Sequence, residues 1–313
     1  MFSRRLLRIK VLQILYAFYT AEGKTYIQSE KDLIYSIQKS YELYHYLMLL
    51  LLDVVDYAES RIDLARQKKI PTQEDLNPST KFVNNKFVVQ LSENQQLRTF
   101  IEKKKLTWSP YPDIIKNLYL LISDTSSYKE YISSDNQSYS EDKKIVLQIF
   151  NDVFMNYEDL YVNLEEQNIF WLEDIDFIIQ MVIKTLRKFK ENQQNQLLPM
   201  LRDEEDIDFA KTLLRKSIMR EEECKGLIQL SAKNWELDRI AFTDNLIMQM
   251  AITEVLEFQS IPIKVTMNEF IEISKIFSTR KSSQFINGIL DHIISELKSG
   301  GRIVKKGRGL INN

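Results

Sequence analysis

The chain has 313 residues, 44% hydrophobic and 27% charged, a composition that can bury a sizeable core in two domains or one elongated one. Its 42 basic and 44 acidic residues leave a net charge of −2, which excludes nucleic-acid binding by bulk charge and leaves any such affinity to local basic patches. The single cysteine, Cys224, excludes an internal disulfide and fits a reducing cytosol.

At the N-terminal end, Arg4 and Arg8 stand one helical turn apart and Arg5 is offset from Arg4 by about 100°, so the three share one side while Lys10 lies away from it. No uninterrupted apolar stretch or small-residue cleavage site follows, so a secretory signal is not expected. Leu33, Ile37, Tyr41, Tyr44, Leu47 and Leu51 recur at helical spacing. The apolar run Tyr46 to Leu52 ends at Asp53, far short of the roughly 20 residues that cross a bilayer, and a cytoplasmic protein is expected. Lys86 to Leu91, KFVVQL, beside Asn84-Asn85, is the best strand candidate, though it reads equally as an ordered loop. Arg98 to Lys105 is basic, and apolar-rich segments follow at 118–122, 146–154 and 169–186. Tyrosine is concentrated in this region, which with Trp108, Phe170 and Trp171 suggests a helical bundle of its own.

Beyond residue 203 the pattern stays helical. Thr266 and Glu269 have capping-box spacing ahead of Phe270, Ile271 and Ile273, with Pro262 in the connection before them. Phe285, Ile286, Ile289, Leu290, Ile293, Ile294 and Leu297 fill one face of a last helix. Gly288 inside it costs about 1 kcal/mol against alanine, which suggests close packing on another helix. Lys298, Arg302, Lys305, Lys306 and Arg308 form a basic tail, expected to be flexible. Four of the seven glycines lie in that tail, and no strand–glycine–helix context for a phosphate loop exists. His45 and His292, the only histidines, have no second ligand at metal spacing and read as core or boundary residues. No catalytic site, metal or cofactor is expected.

Two segments carry a family resemblance. IPIKVTMNEFIEISKIF followed by SSQFINGILD, within 261–294, resembles the C-terminal signature of the NusB family of transcription antitermination factors, and FSRRLLRIKVLQILY, residues 2–16, is similar to that family's first helix. Asp206 to Phe258, including LDRIAFTDNLIMQMAITEVLEF, is similar to its middle helices. The resemblance covers 2–20 and 203–297. It implies an all-α fold of NusB-like helical bundles with an extended helical insertion. The expected organisation is 1–202 as an N-terminal helical region, comprising the family's first helix at 2–20 and an insertion at 21–202, then a NusB-like bundle at 203–297 and the basic tail at 298–313.

The resemblance further implies a non-enzymatic RNA-binding antitermination factor that binds boxA-like single-stranded RNA with NusE, a small-subunit ribosomal protein, within the transcription elongation complex to promote ribosomal RNA transcription. Arg4, Arg5, Arg8, Lys264 and Lys281 would contact phosphates, Phe285 would stack on a base, and Asn268, Ser282, Gln284 or Asn287 would contact polar edges. Tyr16, Asp244 and Glu254 match partner-contacting positions, acidic residues suiting a basic ribosomal protein. Departures are Leu7-Arg8-Ile9, which lacks the family's glutamate, and Phe277-Ser278, where serine replaces a left-handed glycine cap. Two other readings are a helical protein-interaction scaffold without RNA binding and a domain related to RNA methyltransferases, the latter disfavoured by the missing cofactor loop and catalytic cysteine motif.

Overall fold

A computed structural model describes residues 3–70, 72–201, 203–232 and 241–310, the side chains of 74, 75, 173, 280, 308 and 309 excepted. The helices are α1 (Arg4–Thr20), α2 (Tyr26–Arg66), α3 (Gln73–Leu76), α4 (Lys86–Ser92), α5 (Gln95–Lys104), α6 (Pro112–Asp124), α7 (Ser126–Ser133), α8 (Tyr139–Gln148), α9 (Glu158–Gln167), α10 (Ile175–Lys188), α11 (Glu205–Met219), α12 (Glu221–Ser231), α13 (Phe242–Glu257), α14 (Ile263–Phe277) and α15 (Arg280–Ser299). No strand occurs among the described residues, and the all-α expectation holds. None of the described helices is long and apolar enough to cross a membrane. The chain divides into two compact units, Met1–Ile37 with Pro199–Asn313, and Gln38–Leu198, the boundary falling inside α2.

In the first unit α13 is the central element. Residues 246–255 are buried without a break, so every face of the helix needs a neighbour, and α1, α11, α12, α14 and α15 supply them. Its polar side chains are bonded inside this packing. Gln249 Nε2 donates to Ser217 O (2.7 Å) and Tyr19 Oη (3.0 Å), and Thr253 Oγ1 donates to Gln249 O (2.8 Å). α14 and α15 pack against each other as a helical hairpin on this core.

The tail expected to be flexible is instead held where it is described. Lys305 is buried and its Nζ donates to Phe258 O (3.0 Å), the Lys306 N–H donates to Gln259 O (2.9 Å), and Arg302 pairs with Glu223. The reason is local: the C-terminal carbonyls of a helix lack intrahelical donors, and Lys305 brings one to the end of α13. The Arg308 side chain lies outside the described residues.

The second unit has its own core, with Trp108, Phe150 and Phe154 fully buried. Trp108 stacks on Tyr46 (4.0 Å between centroids) and donates to Tyr46 O (2.9 Å), while buried His45 stacks on Phe100 (3.7 Å). The strand candidate KFVVQL is helix α4. Phe87, Val88 and Leu91 are buried and Val89 is exposed, a spacing that fits one side of a helix rather than alternate sides of a strand. Asn85, next to this segment, is the N-cap: its Oδ1 accepts from the Val88 N–H (2.9 Å) and its Nδ2 donates to Asp142 O (3.1 Å).

Candidate nucleic-acid interface

The three N-terminal arginines start on the helix that Ser3 caps, with Ser3 Oγ accepting from the Leu6 N–H (3.3 Å). Each then meets a carboxylate of this chain. Arg4 Nε donates to Asp206 (3.0 Å). Arg5 makes a two-pronged pair with Glu269, Nε at 2.8 Å and Nη2 at 2.9 Å, and this bond raises its already high pKa. Arg8 makes a second such pair with Glu254, both contacts at 2.7 Å, and Glu254 also accepts from Thr266 Oγ1 (2.8 Å). The guanidinium groups of Arg4 and Arg8 each lie 5.2 Å from the Phe209 ring. The arginines therefore tie α1 to α11, α13 and α14.

This arrangement corrects two site expectations. Arg8 is 2% exposed and Glu254 0%, so neither Arg8 as a phosphate contact nor Glu254 as a partner contact reaches the surface. A buried charge persists only when paired, and these two residues pair with each other. Arg4 and Arg5 keep 42% of their side chains exposed, each with part of its donor fork engaged. Lys10 is buried.

The apparent capping box is also corrected. α14 starts a turn earlier than its spacing suggests, with Pro262 as N-cap, and Thr266 and Glu269 lie inside the helix. Their side chains serve Glu254 and Arg5 instead of the helix terminus. The real N-cap nearby is Thr279, whose Oγ1 accepts from the Ser282 N–H (3.1 Å) at the start of α15. Ser278 ends α14 in an extended conformation, so no left-handed residue is required where the family carries glycine.

Lys264 and Asn268 are exposed one turn apart on α14, and Lys281 and Asn287 are exposed on α15. Ser282 and Phe285 are half-buried, Ser282 Oγ lying 3.0 Å from Thr279 Oγ1. Between the two helices runs a groove of about 610 Å³ lined by Ile271, Lys275, Ser283, Gln284 and Asn287. Gln284 and Asn287, both among the polar contacts expected from the sequence, line it. Ile271, Lys275 and Ser283 were not anticipated, although the spacing of Ile271 and Lys275, and of Gln284 and Asn287, already places each pair on one helical face. Lys275 pairs with Glu272, and Asn287 Nδ2 lies 3.5 Å from Asp291. Gly288 is exposed, and nothing stands within 4 Å of where its Cβ would be, which overturns the expectation of close helix packing there.

Of the predicted partner contacts, Tyr16 is 45% exposed and sits edge-to-face with Phe242 (5.4 Å), itself an exposed ring that the sequence reading missed. Asp244 lies in the first turn of α13 but is 3% exposed, which removes it from a partner surface. Its Oδ1 has no hydrogen-bond partner among the described residues. Leu237 to Ile240, the start of the run read as a middle helix, lie outside the described residues. No group of metal-ligating side chains occurs among the described residues.

The NusB family model matches residues 140–295 of this chain. The match includes α11 to α14 and most of α15, reaches back to α8, and leaves α1 outside. The chain is 43% identical over 114 residues to the transcription antitermination protein NusB of Salinibacter ruber, covering 36% of this chain and 71% of that protein. It is 44% identical over 105 residues to the protein of that name from Chloroherpeton thalassium, covering 34% and 50%, and 38% identical over 96 residues to that of Symbiobacterium thermophilum, covering 31% and 63%. No solved structure matches the chain.

Proposed function

Because this chain belongs to the NusB family, we propose that it is a non-enzymatic, cytoplasmic, RNA-binding antitermination factor, which binds boxA-like single-stranded RNA together with the NusE ribosomal protein in the transcription elongation complex. On this reading it promotes processive transcription of ribosomal RNA. The observation that carries it is the α14–α15 hairpin, which presents Lys264, Asn268, Lys281 and Asn287 to solvent, Asn287 lining a groove of about 610 Å³. Phosphate contact then rests on Lys264 and Lys281, with the outer edges of Arg4 and Arg5 as secondary donors. The exposed pair Tyr16 and Phe242 takes the partner role that buried Asp244 and Glu254 do not. The packing of α1 on α11 and α13 supports α1 as the family's first helix, with 21–202 an insertion before a NusB-like bundle at 203–297.

The test is a titration of a short boxA-like RNA, with and without NusE, at two salt concentrations, against wild type and Lys264→Ala/Lys281→Ala/Asn287→Ala. We expect binding strengthened by NusE, weakened about tenfold or more in the variant, and a salt slope lowered by about 0.7 for each phosphate that is no longer neutralised. Absence of RNA binding in both arms would favour the interaction-scaffold reading, for which the internal neutralisation of Arg4, Arg5 and Arg8 already speaks.

A further inference from the structure

Many surface cations of this chain are matched by its own carboxylates, including Arg4, Arg5, Lys104, Arg220 and Lys225. Others are not, and at the end of α10 four of these stand together. Lys184, Arg187, Lys188 and Lys190 are all exposed, and none of them stands in an ion pair among the described residues. Lys184, Arg187 and Lys188 lie at i, i+3 and i+4 on the outer face of α10, opposite buried Ile178, Val182 and Leu186.

The surrounding backbone is fixed by hydrogen bonds. The Lys190 N–H donates to Asn195 Oδ1 (2.8 Å), and Lys190 O accepts from Asn195 Nδ2 (2.9 Å) and Gln90 Nε2 (3.0 Å). Lys143 of α8 adds a fifth cation, its Nζ donating to Arg187 O (2.6 Å) and Phe189 O (2.8 Å). Within 184–195 four cations stand against one carboxylate, Glu191, while on α8 Glu141 pairs with Lys144. A helix C-terminus carries about half a negative charge, and Lys143 already serves its carbonyls, so dipole compensation leaves the other four cations over.

We propose that this end of α10 is a second RNA contact, holding phosphates without reading bases; the proposal rests on the RNA-binding function above. The side-chain chemistry selects the ligand. No large apolar side chain of α10 is exposed, and Phe189 is buried, so the patch offers neither an insertion anchor for a lipid surface nor a stacking ring for a base. It also lacks the apolar or aromatic centre that protein interfaces use. What remains is a rigidly backed array of cations suited to a polyanion, and sequence-independent phosphate contact is the form such an array takes on RNA.

The experiment uses the full chain, a 20-nucleotide oligo(U), and anisotropy titrations at several salt concentrations. We expect Lys184→Ala/Arg187→Ala/Lys188→Ala/Lys190→Ala to lower the salt slope by about 0.7 for each phosphate left without its cation and to weaken binding about tenfold or more at low salt. Lys184→Arg/Lys188→Arg/Lys190→Arg should bind as wild type does, which separates charge from folding. An unchanged slope in the alanine variant overturns the proposal, as does a wild type that binds boxA RNA with NusE but not oligo(U). Displacement of oligo(U) by poly-L-glutamate at equal charge overturns the assignment in favour of an acidic polypeptide. A wild type that binds oligo(U) as tightly as boxA RNA, with the alanine variant weakened on both, would instead sink the hairpin reading and support this patch.

Discussion

Arg8 illustrates how little a helical phase says about solvent when a core carboxylate lies across from it. Its guanidinium and the Glu254 carboxylate satisfy each other in a site closed to water. Removing one partner leaves the other buried and charged, so Arg8→Ala is expected to cost about 3–5 kcal/mol in urea unfolding, whereas Arg8→Met/Glu254→Leu should recover much of the loss. A double variant as unstable as the single one would show that the cost lies in packing rather than charge. His45 gives a pH signature in the other unit. Burial lowers its pKa to about 4 from an ordinary 6.5, so the folded state binds fewer protons than the unfolded state between those values. Its contribution is complete above about pH 6.5 and is lost as pH falls to about 4, an effect on the order of 3 kcal/mol. The pH dependence of the urea midpoint should flatten in His45→Phe over that window, and identical profiles would refute the assignment.

At the scale of elements, three lysines finish helices to which they do not belong. Lys81 Nζ donates to Tyr131 O (2.6 Å) and Ser134 O (2.7 Å) at the end of α7, Lys143 does the same for α10, and Lys305 for α13. Sequence patterns do not reveal such caps, because the donor lies far away in the chain. Two substitutions test the helix geometry directly. Gly288→Ala places a methyl in open space on α15 and should stabilise by up to about 1 kcal/mol, read as a raised Tm; destabilisation would mean that the helix face is occupied. Lys105 caps α5 with φ +54, a left-handed conformation that side chains disfavour by about 1–2 kcal/mol, so Lys105→Gly should also raise the denaturation midpoint. The failed readings at this scale share a cause. Asn85 beside KFVVQL, and Thr266 with Glu269, are residues whose hydrogen bonds can serve local or distant partners, and local spacing does not say which.

For the whole molecule, the segment 38–198 has a core built from its own aromatic residues, and we propose that it folds as an independent domain. Expressed alone, it should melt cooperatively and keep a near-UV circular dichroism signal from Trp108 stacked on Tyr46; a non-cooperative melt without that signal would overturn the proposal. The all-α class, the family and the hairpin bearing Lys264, Asn268, Lys281 and Asn287 were legible in the sequence. Apolar residues at helical spacing have to be buried, and they carry that information locally. The fate of the charged residues was not legible. Arg4, Arg5 and Arg8 share one side of α1 as their spacing requires, but that side faces Asp206, Glu269 and Glu254, residues about 200 or more positions away in the chain. Whether a charge meets water or a buried counter-charge depends on which helices come together, so exposure, pairing and the unmatched cations at the end of α10 were decided only by the tertiary structure.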